Sequence, residues 1–187
     1  MPFFAYLITE GHYGCPTPGA FAKKLEAVFS EHHADYALYR DKENPDYTRF
    51  AAVFVDVCRS RGIKAMLHRD AALAAELGAD GVHLTSSQFG AIETAKAAGL
   101  YTVVSTHSVD EIAHAEALGA DAVTYSPVFA SPGKGTPKGL EDLNETAGKI
   151  NLPVIALGGI VTPAQIDAVK AAGAAGFASI RYFMTNA

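Results

Sequence analysis

The sequence contains no tryptophan and only two cysteines, Cys15 and Cys58, among its 187 residues. The two cysteines have neither Cys-x-x-Cys spacing nor a neighbouring histidine, which excludes a disulfide framework and indicates a structural or incidental role. The chain also shows no charged-then-apolar leader and no apolar run of the ~20 residues that a membrane span requires. We therefore expect a protein of the reducing cytoplasm with no membrane partner.

Basic residues are also scarce, since 15 lysines and arginines stand against 20 aspartates and glutamates, giving a net charge of -5. A nucleic-acid-binding surface needs clustered basic residues, and the chain has no long basic run. The composition thus predicts no nucleic-acid partner and favours a small molecule. Because 49% of the residues are hydrophobic, the chain can form one well-buried core but is too short for two large ones. We expect one domain over residues 1–187.

A weak internal repeat indicates the architecture: LGADGVHL begins at Leu77, LGADAVTY at Leu118 and AGAAGFAS at Ala172. In each copy a glycine ends a helix and a short apolar run begins a buried parallel strand. Runs of this kind predict eight strands. They are Phe4–Ile8, Tyr36–Tyr39, Ala65–His68, Gly81–Leu84, Thr102–Ser105, Ala122–Tyr125, Val154–Leu157 and Gly176–Ile180.

Stretches with helical periodicity lie between these strands, for example Ala20–Phe29 and Val109–Leu118. The alternation predicts a compact (β/α)8 barrel, or TIM barrel, smaller than the ~250 residues typical of that fold. A doubly wound open sheet is the alternative. Because the last strand ends close to Ala187, we expect a shortened C-terminal helix. The apolar surface left bare by that helix predicts a homodimer.

In a barrel of this kind, chemistry takes place where strands end and helices begin. Basic side chains, hydroxyls and glycines follow the predicted strands. The set comprises Thr9, Glu10, Arg40, Asp41, Lys42, His68, Arg69, Asp70, Thr85, Ser86, Ser87, Gln88, Thr106, His107, the segment Ser126–Gly139, Gly158, Gly159 and Arg181. Such a rim on an otherwise acidic chain predicts an anionic ligand.

The segment Ser126–Gly139, SPVFASPGKGTPKG, is not a P-loop, because Val128 occupies the position of the first glycine in that pattern. A phosphate site is better indicated elsewhere. Gly158 and Gly159 follow the seventh strand and allow close approach to the backbone, and Arg181 follows the eighth, where barrels often bind the same phosphate. Alternatively, the glycine pair only forms a tight turn and Arg181 only covers the rim.

Five segments together resemble the thiamine phosphate synthase and TenI family over nearly the whole chain. They are AYLITE, LYRDK, LGADGVHL, VVSTHSVDEIAHAEALGADAVTYSPVFASPGKG and PVIALGGI. The resemblance implies a role in thiamine biosynthesis. Synthases of this family join a pyrimidine pyrophosphate to a thiazole phosphate with magnesium and release pyrophosphate, whereas TenI-like relatives act as thiazole tautomerases or have no clear activity.

The resemblance also implies a set of residues that bind phosphate or pyrophosphate. These are Arg40, Lys42, Ser105, Ser131, Lys134, Gly158, Gly159 and Arg181. By the same resemblance the segment Ser126–Gly139 is a lid over the phosphate and not a linker.

Several positions depart from the synthase pattern. Leu38 replaces a glutamine that reads the pyrimidine, and Arg69 and Gln88 replace the two aspartates that bind magnesium. Magnesium prefers carboxylate ligands, so the departures imply no metal unless Asp70 is a displaced ligand. His68, Arg69 and Lys134 are the catalytic candidates, with the charge of Arg69 in place of the metal's.

The histidine that moves the proton in TenI-type tautomerases corresponds to Pro127, which cannot do so. Three functions therefore stay open. The first, which we favour, is a TenI-like protein that binds a thiazole phosphate or thiamine phosphate; the others are a divergent synthase and a non-catalytic binding or regulatory protein. We interpret His83 as a structural residue, His107 as a helix cap and His32 as part of a solvated helix end.

Overall fold

The structure is a computed structural model that describes residues 2–184. Eight parallel strands pair in chain order and close into a barrel through β1 and β8. The strands are β1 (Phe4–Ile8), β2 (Tyr36–Tyr39), β3 (Lys64–His68), β4 (Gly81–Leu84), β5 (Tyr101–Thr106), β6 (Ala122–Tyr125), β7 (Val154–Leu157) and β8 (Gly176–Ser179). The predicted TIM barrel is confirmed, and the open sheet is excluded.

Helices alternate with the strands throughout. The α-helices of the described residues are α1 (Pro18–Glu31), α2 (Tyr47–Arg61), α3 (Ala71–Glu76), α4 (Ile92–Ala97), α5 (Val109–Ala117), α6 (Gly139–Lys149) and α7 (Pro163–Ala171). Short 3-10 turns cover Phe89–Ala91 and Arg181–Phe183. The ends of the predicted domain, residue 1 and residues 185–187, lie outside the described residues, so its extent stays a prediction.

Strands β3 and β5 are longer than their apolar runs predicted, because pairing with the neighbouring strands extends them. Strand β3 begins one residue early because Lys64 pairs with Tyr36. Strand β5 extends one residue at each end, where Tyr101 pairs with Gly81 and Thr106 pairs with Tyr125. Half-exposed or polar residues thus join the ladder because the neighbouring backbone is available.

The aspartate of the internal repeat has a structural role. Asp80 accepts a hydrogen bond from the backbone N–H of Ala65 at 2.9 Å, and Asp121 accepts one from Thr102 at 2.7 Å. Asp35, which precedes β2, bonds the start of β1 in the same way at 2.8 Å. Each carboxylate therefore satisfies a backbone donor where the preceding strand begins, which fixes the register of neighbouring strands.

Side chains fill the barrel interior at its N-terminal end. Phe4, Tyr6 and Met66 belong to the interior cluster, and the rings of Tyr36 and Tyr101 stack there with centroids 5.5 Å apart. Interior layers of this kind make the barrel a packed core and not a pore. The space available to a ligand therefore lies at the C-terminal end.

After β8 the chain forms a 3-10 turn where an eighth helix is usual, as predicted. Phe183 is 1% exposed and stacks on Phe177 with centroids 5.7 Å apart. The rings of Tyr182 and His32 pack on the same cluster, so the interpretation of His32 as part of a solvated helix end was wrong. These ring contacts do not test the homodimer, which remains a prediction.

The helices and the two cysteines bear on two further expectations. Among residues 2–184, no helix has the length and apolar character needed to cross a membrane. Cys15 and Cys58 are both free thiols, and Cys58 is buried. Burial raises the pKa of the Cys58 thiol well above its usual range, so this cysteine stays protonated and unreactive, in accord with a structural role.

Candidate functional site

A cavity of about 530 Å³ opens at the C-terminal end of the barrel. Part of its wall is apolar. This part is formed by Ile8, Leu38, Leu157, Ile160, Ala178 and Ile180. The residues predicted to bind phosphate line the same cavity, together with His68. They are Arg40, Lys42, Ser105, Ser131, Lys134, Gly158, Gly159 and Arg181. Arg69 and Asp70, in contrast, do not line the cavity.

The segment Ser126–Gly139 is anchored at its base and extends over the cavity. The backbone N–H of Val128 donates to Leu157 at 2.9 Å, which ties the segment to the end of β7. Its tip is a turn in which the N–H of Lys134 donates to the carbonyl oxygen of Ser131 at 3.1 Å. Both tip residues line the cavity, so the segment has the geometry of a lid.

The glycine pair after β7 allows this lid to pack closely. Gly158 and Gly159 both have positive φ, at 101° and 70°. A Cβ atom on Gly158 would lie 2.7 Å from the Cα of Pro127, and one on Gly159 would lie 2.5 Å from the carbonyl oxygen of Ala130. The pair thus does more than form a tight turn, because any side chain there would displace the lid. Sequence reasoning missed this contact.

Basic residues concentrate at one side of the cavity. The N–H of Arg40 donates to the Thr9 hydroxyl at 3.0 Å, which fixes the backbone where β2 ends. The charge of Arg40 is the main cause that lowers the pKa of Lys42, followed by burial and by the charges of Lys134 and Arg69. Within residues 2–184, none of these four cations forms an ion pair with a carboxylate. The cluster therefore attracts an anion.

His68 lies at the end of β3, inside the cavity. Its backbone N–H donates to the Tyr47 hydroxyl at 3.3 Å. Burial, followed by the charges of Arg40, Lys42 and Arg69, lowers the pKa of His68 to about 3. The imidazole is thus neutral at pH 7 and a weak base in the free protein. A bound anion would offset the three cations and raise this pKa.

His83 is 3% exposed and joins the barrel core to the cavity. Its Nδ1 lies 3.0 Å from the Tyr6 hydroxyl, and its Nε2 lies 3.0 Å from Oγ of Ser105. His83 is therefore hydrogen-bonded as expected, yet it also lines the cavity. Sequence reasoning missed Tyr6. Strand β1 is apolar and buried on both faces, so its hydrophobicity does not show that Phe4, Tyr6 and Ile8 are the residues on the interior face.

His107 does not cap the helix that follows β5, contrary to our interpretation. Ser108 is the N-cap of α5, and its hydroxyl accepts a hydrogen bond from the N–H of Glu111 at 3.2 Å. Nδ1 of His107 instead lies 3.1 Å from the carbonyl oxygen of Ser126. Hydroxyl side chains cap helices better than imidazoles do, and His107 contacts the start of the lid.

Arg69 and Gln88, which by family resemblance stand at the two magnesium positions, carry no carboxylate to bind a divalent cation. Oε1 of Gln88 accepts a hydrogen bond from the N–H of Thr85 at 3.1 Å, and Nε2 donates to the carbonyl oxygen of Arg69 at 3.1 Å. Asp70 caps α3 by accepting from the N–H of Leu73 at 2.9 Å, and its role as a displaced metal ligand stays a prediction. Across residues 2–184, no three His, Cys, Asp or Glu side chains are grouped to hold a metal.

The profile of the thiamine monophosphate synthase family matches residues 5–183. The chain belongs to this family. A putative thiamine-phosphate synthase of Geobacter sulfurreducens is 44% identical over 193 residues, covering 96% of this chain and 86% of the relative. A thiamine-phosphate synthase of Methanoculleus marisnigri is 32% identical over 187 residues, covering 96% of this chain and 87% of that one. The family predicted from the sequence is thereby confirmed.

A solved structure supports the same assignment. Thiamine phosphate pyrophosphorylase from Pyrococcus furiosus superposes with a TM-score of 0.81 at 25% identity, covering 95% of this chain and 85% of the other. This chain and that structure thus share the barrel fold.

Proposed function

We propose that this member of the thiamine monophosphate synthase family binds a phosphorylated heterocycle, either a thiazole phosphate or thiamine phosphate, and holds its phosphate without a metal ion. One observation carries the proposal: Arg40, Lys42 and Lys134 line one side of the cavity, and no carboxylate of residues 2–184 forms an ion pair with them. An anion between these side chains relieves the repulsion that lowers the pKa of Lys42. Direct hydrogen bonds from charged donors to phosphate are short and strong.

The rest of the cavity suits an apolar ring. Ile8, Leu38 and Leu157 line it, and by family resemblance Leu38 stands where the synthases carry a glutamine for the pyrimidine. A volume of about 530 Å³ lies within the ~300–1,000 Å³ usual for small-molecule sites. A buried polar group that loses its partner costs affinity. An aminopyrimidine would therefore bind less well here than a thiazole that needs only shape and apolar contact.

We favour a TenI-like role over magnesium-dependent synthesis. By family resemblance Gln88 stands at a metal position, and its amide is engaged by hydrogen bonds within its own loop and to the loop after β3, while Asp70 caps α3. Isomerisation of a thiazole ring requires a proton to move at the ring, and among the imidazoles that line the cavity we assign His68 to this step. Its pKa in the free protein is about 3, so the assignment requires bound phosphate to offset the neighbouring cations.

A second candidate is a synthase that does not need magnesium. It is favoured by Arg69, whose charge reaches the cavity strongly enough to lower the pKa of both Lys42 and His68. A guanidinium can stabilise a departing pyrophosphate by charge and hydrogen bonds. The name thiamine-phosphate synthase that relatives carry favours synthase activity in general, with or without magnesium.

Two measurements decide between these functions. Calorimetric titration with a thiazole phosphate in the presence of chelator should show binding, and its absence would contradict the proposal. The purified protein should then be assayed for thiamine phosphate formation from pyrimidine pyrophosphate and thiazole phosphate, with magnesium and with chelator. We expect no thiamine phosphate to form, either with magnesium or with chelator. Product in chelator would favour the second candidate, and product only with magnesium would overturn both.

A further inference from the structure

Two hydrogen bonds connect the core of the barrel with the cavity. The Tyr6 hydroxyl lies 3.0 Å from Nδ1 of His83, and Nε2 of His83 lies 3.0 Å from Oγ of Ser105. Tyr6 is 1% exposed and His83 is 3% exposed, whereas Ser105 lines the cavity. The three side chains form a line from an apolar interior to the surface that a ligand would contact.

The histidine in the middle carries a single ring proton at neutral pH. Burial lowers the pKa of His83 to about 3, with smaller contributions from His68 and Arg40 in the same direction. A neutral imidazole donates from one nitrogen and accepts at the other. The direction of both hydrogen bonds therefore depends on which nitrogen holds the proton.

The hydrogen bond of Tyr6 decides which nitrogen of His83 holds the proton. Burial raises the pKa of its hydroxyl well above the usual value, so the group keeps its proton. Among the described residues, Nδ1 of His83 is its one hydrogen-bond partner, and its neighbours in the interior cluster include Ile8 and Met66. A buried donor without an acceptor is costly. Tyr6 therefore donates to Nδ1, and the proton of His83 resides on Nε2.

We propose that Tyr6 and His83 are positioning residues that turn the Ser105 hydroxyl into a donor directed at the cavity. Because Nε2–H of His83 donates to Oγ of Ser105, the hydroxyl proton of Ser105 is free to bond an anion. With the other tautomer, Ser105 would donate to His83 and present only oxygen lone pairs, which repel phosphate. The inference rests on the proposed function, since it assigns a partner to the phosphate in that cavity.

The tautomer of His83 can be determined in the ligand-free protein. Nitrogen-15 NMR of the imidazole in the ligand-free wild-type protein at pH 7.5 should show His83 protonated at Nε2 and bare at Nδ1. Protonation at Nδ1 would overturn the inference and leave the proposed function standing. This measurement needs no variant, so it is independent of any loss of folding.

The second readout is affinity for inorganic phosphate, measured by calorimetry. Ser105→Ala removes a donor to a charged group and should weaken binding roughly tenfold or more. Tyr6→Phe keeps the ring that stacks on His83 but removes the hydroxyl, so Ser105 can donate to His83 instead. We expect a loss of roughly threefold to tenfold, together with a shift of His83 towards the Nδ1–H tautomer.

Tyr101→Phe is the matched control, because it removes a hydroxyl from the N-terminal end of the barrel interior, where Tyr101 stacks on Tyr36. It should change neither phosphate affinity nor the His83 tautomer. Equal losses for Tyr6→Phe and Tyr101→Phe would overturn the inference. Failure of the wild type to bind phosphate would overturn the proposed function, and the tautomer would still decide the direction of the two hydrogen bonds.

Discussion

Gln88 donates a hydrogen bond from Nε2 to the backbone carbonyl oxygen of Arg69 at 3.1 Å. By family resemblance, these two residues stand where synthases carry their magnesium aspartates. Arg69 adopts a φ of 73°, a left-handed conformation that is uncommon outside glycine. The bond joins the loops that follow β3 and β4. The two positions are thus tied to each other, which gives the basic side of the cavity a fixed frame without a metal.

The basic cluster should dominate phosphate affinity. Arg40→Gln removes the charge that contributes most to lowering the pKa of Lys42 and should weaken binding of inorganic phosphate roughly tenfold or more at low salt, because a charged hydrogen bond is lost. Calorimetry measures the change. Arg49→Gln is the control, since Arg49 is on α2 with 72% of its side chain exposed, 3.9 Å from Asp46. Equal losses for the two variants would contradict a specific site at Arg40.

The glycine pair should be needed for stability. Gly158→Ala places a Cβ atom 2.7 Å from the backbone of Pro127 at a φ of 101°. Clash and backbone strain should together lower the free energy of unfolding by at least ~2 kcal/mol, as measured by urea denaturation. The control is Gly148→Ala in α6, where no atom lies within 4 Å of the new Cβ. That change should stabilise by ~0.5–1 kcal/mol, and a neutral Gly158→Ala would refute the close packing.

Stability should fall in acid because of His83. Its folded-state pKa of about 3 lies below the ~6.5 of an unfolded histidine, so between these values the unfolded chain binds a proton that the folded chain does not. The contribution of His83 is complete above about pH 6.5 and is lost as the pH falls towards 3, by ~1.4 kcal/mol per pH unit.

Urea denaturation between pH 7 and 4 measures this slope. His83→Gln should be less stable at pH 7, since it disturbs two hydrogen bonds, but its free energy of unfolding should fall less steeply with acid. His33→Gln is the control, because the His33 side chain is 81% exposed, and it should keep the wild-type slope. Equal slopes for all three proteins would show that His83 titrates normally in the folded state.

The sequence predicted the barrel well because its local signals agree. Glycine stops such as Gly78 and Gly119, both at positive φ, lie between helix and strand where the repeat indicates them. The convergence of Arg40 and Lys134 on one cavity also follows, since the C-terminal ends of all strands meet at one rim. Patterns of this kind depend on residues that are close together in the sequence.

What the sequence did not predict depends on contacts between distant segments. The packing of Gly159 against the lid needs the three-dimensional approach of two loops. The position of Arg69 outside the cavity lining follows from its backbone conformation, which no pattern specifies. Tyr6 lies on a strand that is buried on both faces, so hydrophobicity does not indicate which of its residues point inward.

Arg69 should make phosphate binding independent of magnesium. A fixed guanidinium at a metal position repels a divalent cation and attracts the same phosphate oxygens. Binding of inorganic phosphate by the wild-type protein should therefore be equal in magnesium and in chelator. Arg69→Asp should weaken the metal-free affinity severalfold, because a cation that acts on Lys42 and His68 is replaced by an anion.

Magnesium should restore little of that affinity in the single variant, since Asp70 caps α3 and the Gln88 amide is bonded within the loops. The double variant Arg69→Asp with Gln88→Asp supplies two carboxylates, which hard cations prefer, and it alone should bind phosphate more tightly with magnesium than with chelator. Arg49→Asp on α2 controls for the change in net charge. Should calorimetry show that wild-type binding is lost in chelator and restored by magnesium, Arg69 and Gln88 would not occupy the metal positions, and magnesium-dependent synthesis would become the better proposal.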